Sequence, residues 1–199
     1  MERAKLLRLA RLSTAIVLGE WEVVRAVRAS APAGEPDREW REAVLQTHLF
    51  GGFPRLVEAY GHLAHAGGLG AATADEHEAA GSVERGAQLF DRIYGEGAEP
   101  VRAMLDEHSA DYAAMIAEHA YGRVLSRPGL DAASRELIAS CALAALGQDR
   151  QLASHARGAL RCGAHFDALV DGLDAVRDLM TDERRERALR IAERFRSDN

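Results

Sequence analysis

The chain has 199 residues, of which 47% are hydrophobic and 28% charged, with a formal net charge of −6. That size supports one compact domain whose core needs neither a disulfide nor a metal to fold. The acidic balance and the lack of a concentrated basic face argue against a nucleic-acid partner, and no apolar run reaches the roughly 18 residues that a membrane span requires.

"MERAKLLRLARLSTAIVLGE" starts basic and turns apolar, but Arg8 and Arg11 interrupt the apolar run and no small-residue cleavage site follows cleanly. The segment is therefore expected to be an amphipathic helix of a cytoplasmic protein, and the two cysteines, Cys141 and Cys162, suit a reducing compartment. Leu6, Leu9, Ala10, Ile16 and Val17 give helical spacing that continues through Val23, Val24 and Val27. "SAPAGEP" (30–36) breaks it, and Asp37 is placed to cap a helix carrying Trp40, Val44, Leu45 and His48. "FGGFP" (50–54) predicts a break or kink before Leu56, Val57, Tyr60 and Leu63 resume the period.

"HAGGLGAATAD" (65–75) reads as a linker with Thr73 and Asp75 as caps, and the acid-rich "DEHE" (75–78) suits the start of a polar helix over about 75–94. "YGEGAEP" (94–100) predicts a turn, and helices follow over 99–108 and 109–125. "SRPGLD" (126–131) is a strong break with Asp131 as the next cap. A helical hairpin then turns at Gly147, and two helices, about 165–180 and 182–196, close the chain. No segment reads as a strand. The pattern predicts a single all-α domain of about nine helices over 1–199, compatible with half-repeats 1–66 and 99–199 joined by a linker and helix at 67–98. In support of a repeat, residues 8–31 can be laid on 136–159, so that Gly19 meets Gly147, Arg8 meets Glu136 and Val27 meets His155.

"RELIASCALAALGQDRQLASH" (135–155) carries the most informative chemistry. Glu136 and His155 stand roughly 16 and 12 Å back from a turn at Gly147, so an antiparallel hairpin brings them to nearly the same level. Both side chains lean toward their own helix N-terminus, which works against contact, yet a glutamate can reach directly or through one water. An imidazole beside a carboxylate in a half-buried place is a tunable proton donor and acceptor. The same residues also have structural uses. A histidine on an apolar face serves as a hydrogen-bonded core residue, and a first-turn glutamate answers the helix macrodipole.

"YGRVLSRPGLDAASRELIASCALAALGQDRQLASHARGALRCGA" (121–164) resembles the carboxymuconolactone decarboxylase family, whose wider superfamily includes alkylhydroperoxidase D. The resemblance is carried by the Tyr-Gly, "RPGLD", "REL", the small-residue helix, the glycine turn, the histidine and "RCGA" with Gly163. "LQTHLFGGFPRLVEAYGHL" (45–63) is similar to the C-terminal part of the same domain. The resemblance implies an all-α, alkylhydroperoxidase D-like helical bundle that assembles into homotrimers or hexamers. It implies Glu136 and His155 as catalytic residues, no cofactor and a small-molecule substrate. On it, the two redox cysteines of the peroxidase branch fall on Gln148 and Gln151, which cannot form a disulfide relay. Proton chemistry remains: in a decarboxylase, loss of CO₂ leaves an enolate-like charge to be stabilised and protonated. Arg127 and Arg135 are candidates to hold a substrate carboxylate, and Tyr121, His119, Gln148 and Gln151 to line the pocket.

Cys141 lies mid-helix among apolar neighbours and reads as a small core residue. An antioxidant alternative would use it as a single reactive thiol, provided that it is accessible and acidic. A further alternative is a non-catalytic helical assembly that kept the fold. His62 and His65, at i and i+3, are too few to hold a metal, and none is expected.

Overall fold

A computed structural model describes residues 1–74, 76 and 82–196. The described residues are all-α, with no strand. Helices α1 (Arg3–Leu18) and α2 (Trp21–Ala29) are followed by α3 (Arg38–Gln46) and α4 (His48–Ala64). Then come α5 (Val83–Tyr94), α6 (Ala98–His108), the short α7 (Ala110–Ala114) and a π-helix (Met115–Leu125). The hairpin is α8 (Ala132–Leu146) and α9 (Asp149–Arg161), and α10 (Phe166–Ala175) and α11 (Asp182–Glu193) close the bundle. The described helices thus outnumber the expected nine, because Gly19 separates α1 from α2 and the segment 109–125 divides into α7 and the wider π-helix.

The whole bundle is arranged around α8. Every residue from Ser134 to Ala145 is buried, so this helix is enclosed on all sides rather than amphipathic, and apart from Arg135 and Glu136 its buried residues are apolar or small. One side, through Leu137, Ile138 and Cys141, packs into a core with Leu9, Leu12 and Ile16 of α1 and Trp40 and Val44 of α3. The other, through Ala139, Leu143 and Ala144, packs with Leu152 of α9, Leu169 and Leu173 of α10 and Ala192 of α11. A third cluster holds Phe90, Ile93, Tyr121, Leu125 and Cys162. There α5 crosses the π-helix closely: a Cβ at Gly86 would lie 2.7 Å from the backbone nitrogen of Gly122. That approach sets Phe90 edge-on against Tyr121, ring centroids 4.8 Å apart.

Both hairpin glycines are left-handed, Gly19 at φ 82° and Gly147 at φ 70°. Each is followed by the same closing bond, Glu20 N–H to Ala15 O at 2.9 Å and Gln148 N–H to Leu143 O at 3.0 Å. The two hairpins laid over one another in the sequence therefore end their first helices identically. Asp131 caps α8 as expected, accepting from Ser134 N–H at 2.8 Å. Asp37 does not cap α3; its carboxylate accepts from the Arg28 guanidinium at 2.6 Å, a charge-assisted bond that outcompetes a neutral backbone donor. Thr73 bonds the Glu76 carboxylate through its hydroxyl at 3.2 Å, while Asp75, His77 and Glu78 lie outside the described residues. "FGGFP" is a kink inside α4, centred on Gly52 at φ 78° and ψ 167°.

Burial on all sides forces the polar residues of α8 to find partners within the protein. Arg135, 1% exposed, donates to Glu42 at 2.7 Å and to the Arg127 carbonyl at 2.9 Å. Arg127 donates to the other Glu42 oxygen at 2.9 Å. The single carboxylate of Glu42 thus joins α3, the loop before α8, and α8 itself. Replacing Glu42 by Ala leaves Arg135 buried without a counter-charge, and we expect a loss of about 3–5 kcal/mol, measured by urea unfolding.

Candidate functional site

Glu136 and His155 meet directly. His155 Nδ1 lies 2.8 Å from Glu136 Oε2, with the Glu136 side chain 1% exposed and that of His155 15% exposed. Since a carboxylate only accepts, Nδ1–H is the donor and Nε2 is the nitrogen left for a ligand. The backward lean of the two side chains is overcome at Gly158, one turn after His155. A Cβ there would stand 2.7 Å from Glu136 Oε2, so the missing side chain is the space the carboxylate occupies. Phe50, just before the α4 kink, presses edge-on against the imidazole with ring centroids 5.6 Å apart. Burial pushes the His155 pKa down, but the adjacent Glu136 charge and hydrogen bond outweigh it, and the net shift is upward from the ordinary 6.5.

The second oxygen, Glu136 Oε1, is buried and has no hydrogen-bond partner. Within electrostatic reach of Glu136 stands a pair of phenols, Tyr121 and Tyr94, whose hydroxyls are 3.4 Å apart. Burial raises both phenol pKa values, Tyr121 well above 10, and the Glu136 charge adds to the effect. Cys162 belongs to the same group: burial first, then the Glu136 charge, pushes its thiol up to about 11. Tyr94, Phe50 and Gly158 were not among the residues expected from sequence. The available signal was Gly158, a helix-interior glycine whose cost of about 1 kcal/mol asks for a packing reason.

The other expected site residues are distributed differently. Arg127 and Arg135 are not free to hold a substrate carboxylate, because both are committed to Glu42. His119 bonds His48, Nε2 to Nε2 at 2.7 Å, beside Phe53. Burial and His48 lower its pKa. Gln148 and Gln151 are exposed and share the helical stripe of His155 on α9. Cys141 is 0% exposed, and burial pushes its thiol up to about 12. A Cβ at Gly172 would lie 2.9 Å from its sulfur, so it packs tightly between α8 and α10. The accessible, acidic thiol that a Cys141-based redox site needs is not there.

His62 stacks on Trp21 at 4.8 Å and bonds Arg25, while His65 bonds the Gly61 carbonyl, so the two imidazoles do not converge. Among the described residues no group of three or more His, Cys, Asp or Glu side chains is placed to hold a metal, and no helix is long and apolar enough to cross a membrane. Tyr121 and Phe90 also form part of the wall of a cavity of about 550 Å³, lined further by Ala113, Ile116 and Leu105.

Residues 110–194, which contain both Glu136 and His155, match the model of the carboxymuconolactone decarboxylase family. The chain is also 35% identical over 67 residues to the 4-carboxymuconolactone decarboxylase of Acinetobacter baylyi. That alignment takes in 34% of this chain and 50% of the relative, so the chain spans about half the length of the curated protein it matches. The stretch 45–63 lies outside the family match.

Three outcomes are expected. Gly158→Ala, by forcing the carboxylate away, should lower the His155 titration midpoint followed by NMR. In the native protein a thiol reagent should leave Cys141 unmodified until the chain unfolds. Because the folded pKa of His155 is raised, its contribution to stability is full below the unfolded value of about 6.5 and is lost as pH rises through the folded value. Glu136→Gln should remove that dependence from unfolding curves recorded across this range.

Proposed function

We propose that the chain catalyses acid–base chemistry on a small carboxylated substrate, a decarboxylation or proton transfer, with Glu136 and His155 as its catalytic residues and no cofactor. The observation that carries this reading is the 2.8 Å contact between a buried carboxylate and an imidazole that keeps one nitrogen free. In the decarboxylation, the bond to the carboxyl carbon breaks and CO₂ leaves. The electron pair passes to a conjugated carbonyl oxygen. Protonated His155 then delivers a proton from Nε2 to the substrate carbon, held in line through Nδ1–H by Glu136, and regains it from solvent. One proton is consumed for each CO₂ released. The raised His155 pKa keeps the acid form populated toward neutral pH, so turnover limited by this step should fall as pH rises through that value.

The curated relative makes 4-carboxymuconolactone the first compound to try. The proposed setting is cytoplasmic, without nucleic-acid or membrane partners, and homo-oligomeric as a trimer or hexamer. Association is favoured by the outward-facing Phe53, Val57 and Met115, exposed 62%, 68% and 65%. The same surface is what a non-catalytic assembly would use. The peroxidase alternative is disfavoured by the burial of Cys141 and by glutamine at 148 and 151.

The test is CO₂ release from 4-carboxymuconolactone and related carboxylated lactones. Glu136→Gln and His155→Ala should each lower kcat by roughly 10²–10⁴-fold while circular dichroism and sedimentation stay unchanged. Unchanged turnover in both variants would remove the acid–base roles of Glu136 and His155, and no turnover in any protein, with the variants altered only in stability or assembly, would favour the assembly.

A further inference from the structure

The cavity of about 550 Å³ that Phe90 and Tyr121 help to wall is lined by neither Glu136 nor His155. It lies among α5, α6, α7 and the π-helix, and its volume falls in the range of about 300–1,000 Å³ common to small-ligand sites. Gly86, Ala87, Ala103, Ala113 and Ala117 line it where larger side chains would fill it. Phe90, Leu105 and Ile116 give it apolar walls. Its π-helical side, Met115–Leu125, has 11 residues in a form found mostly as single turns, and frequently at functional sites.

The charged residues of the lining, Glu99, Arg102 and Asp106, all belong to α6. Arg102 is already answered: it donates to Glu99 and to Asp91, each at 2.5 Å, and lies over the Phe90 ring at 4.7 Å. Asp106 is exposed and has no hydrogen bond or ion pair among the described residues. It also stands in the last turn of α6, which ends at His108. There the negative end of the helix macrodipole opposes a carboxylate and favours a cation. The charge left over at the cavity is therefore negative. A cation beside Asp106 meets two attractions, whereas an anion meets Asp106, Glu99 and the helix end.

We infer that this cavity is a binding site for a small cationic amphiphile, an apolar ring or short chain that carries one ammonium group. The apolar body lies against Phe90, Leu105 and Ile116, and the ammonium lies against Asp106. The carboxylated substrate proposed above has the wrong charge for this place. The cavity is thus a second site, and its occupancy does not depend on Glu136 or His155.

The test compares three naphthalenes of equal ring size at neutral pH and low salt: 1-naphthylmethylamine, 1-naphthylmethanol and 1-naphthoate. Binding to the intact protein is followed by calorimetry. The amine should bind saturably, the alcohol more weakly and the carboxylate least. Asp106→Asn, a change at an exposed position, should weaken the amine by about two- to fivefold and leave the alcohol unchanged. Ala113→Phe and Ala117→Phe, which fill the cavity, should abolish binding of both while circular dichroism stays unchanged. His155→Ala should bind the amine as the wild type does. In the wild type, methyl NMR should place the amine at Leu105 and Ile116, a readout that needs no variant. Absence of saturable amine binding, carboxylate bound as tightly as amine, an unaffected Asp106→Asn protein, or methyl shifts confined to other parts of the chain would overturn the site.

Discussion

Burial of α8 on every side is the constraint on which the rest of the structure depends. A helix so enclosed can carry charge only where another element answers it, and α8 carries two adjacent charged residues near its start. Their side chains leave the helix about 100° apart. Arg135 is answered on one side by Glu42 of α3, and Glu136 on the other by His155 of α9. The guanidinium donates to Glu42, Gln46 and the Arg127 carbonyl, with only Nε left without a partner, and the pairing fastens α3 to the centre. The second leaves a carboxylate oxygen open. The same burial therefore yields a structural clamp and a chemically unfinished site, from neighbouring residues of one helix.

The two glycine hairpins close alike and carry different side chains. Both end their first helix in a left-handed glycine with the same backbone closure. In the first, the positions equivalent to Glu136 and His155 are Arg8 and Val27, and Arg8 bonds Glu35 outside the hairpin. In the second, Gly158 admits the carboxylate and the imidazole completes the contact. Similar hairpins thus carry plain packing in one place and a buried carboxylate–imidazole contact in the other.

Much of this was legible in the sequence. The 3–4 spacing, the breaks at 126–131 and Gly147, and the Asp131 cap follow from local chemistry, and the helix offsets from Gly147 placed Glu136 and His155 at one level. What was not legible depended on tertiary partners. Asp37 has the composition of a cap, but Arg28, nine positions earlier, takes its carboxylate. Arg127 and Arg135 have the composition of an anion site, but Glu42, distant in sequence, occupies them. Phe50 carries no local pattern that points to His155; only tertiary packing brings its ring edge-on to the imidazole.

The account stands on His155 being held through Nδ1–H, with Nε2 facing the ligand. Imidazole ¹⁵N chemical shifts of the wild-type protein, recorded above the His155 titration midpoint, report directly which nitrogen keeps its proton. The account predicts a neutral ring protonated at Nδ1, with Nε2 bare. A neutral ring protonated at Nε2 would contradict it, because Glu136 would then face a lone pair rather than a donor and the proposed proton delivery would have no oriented acid.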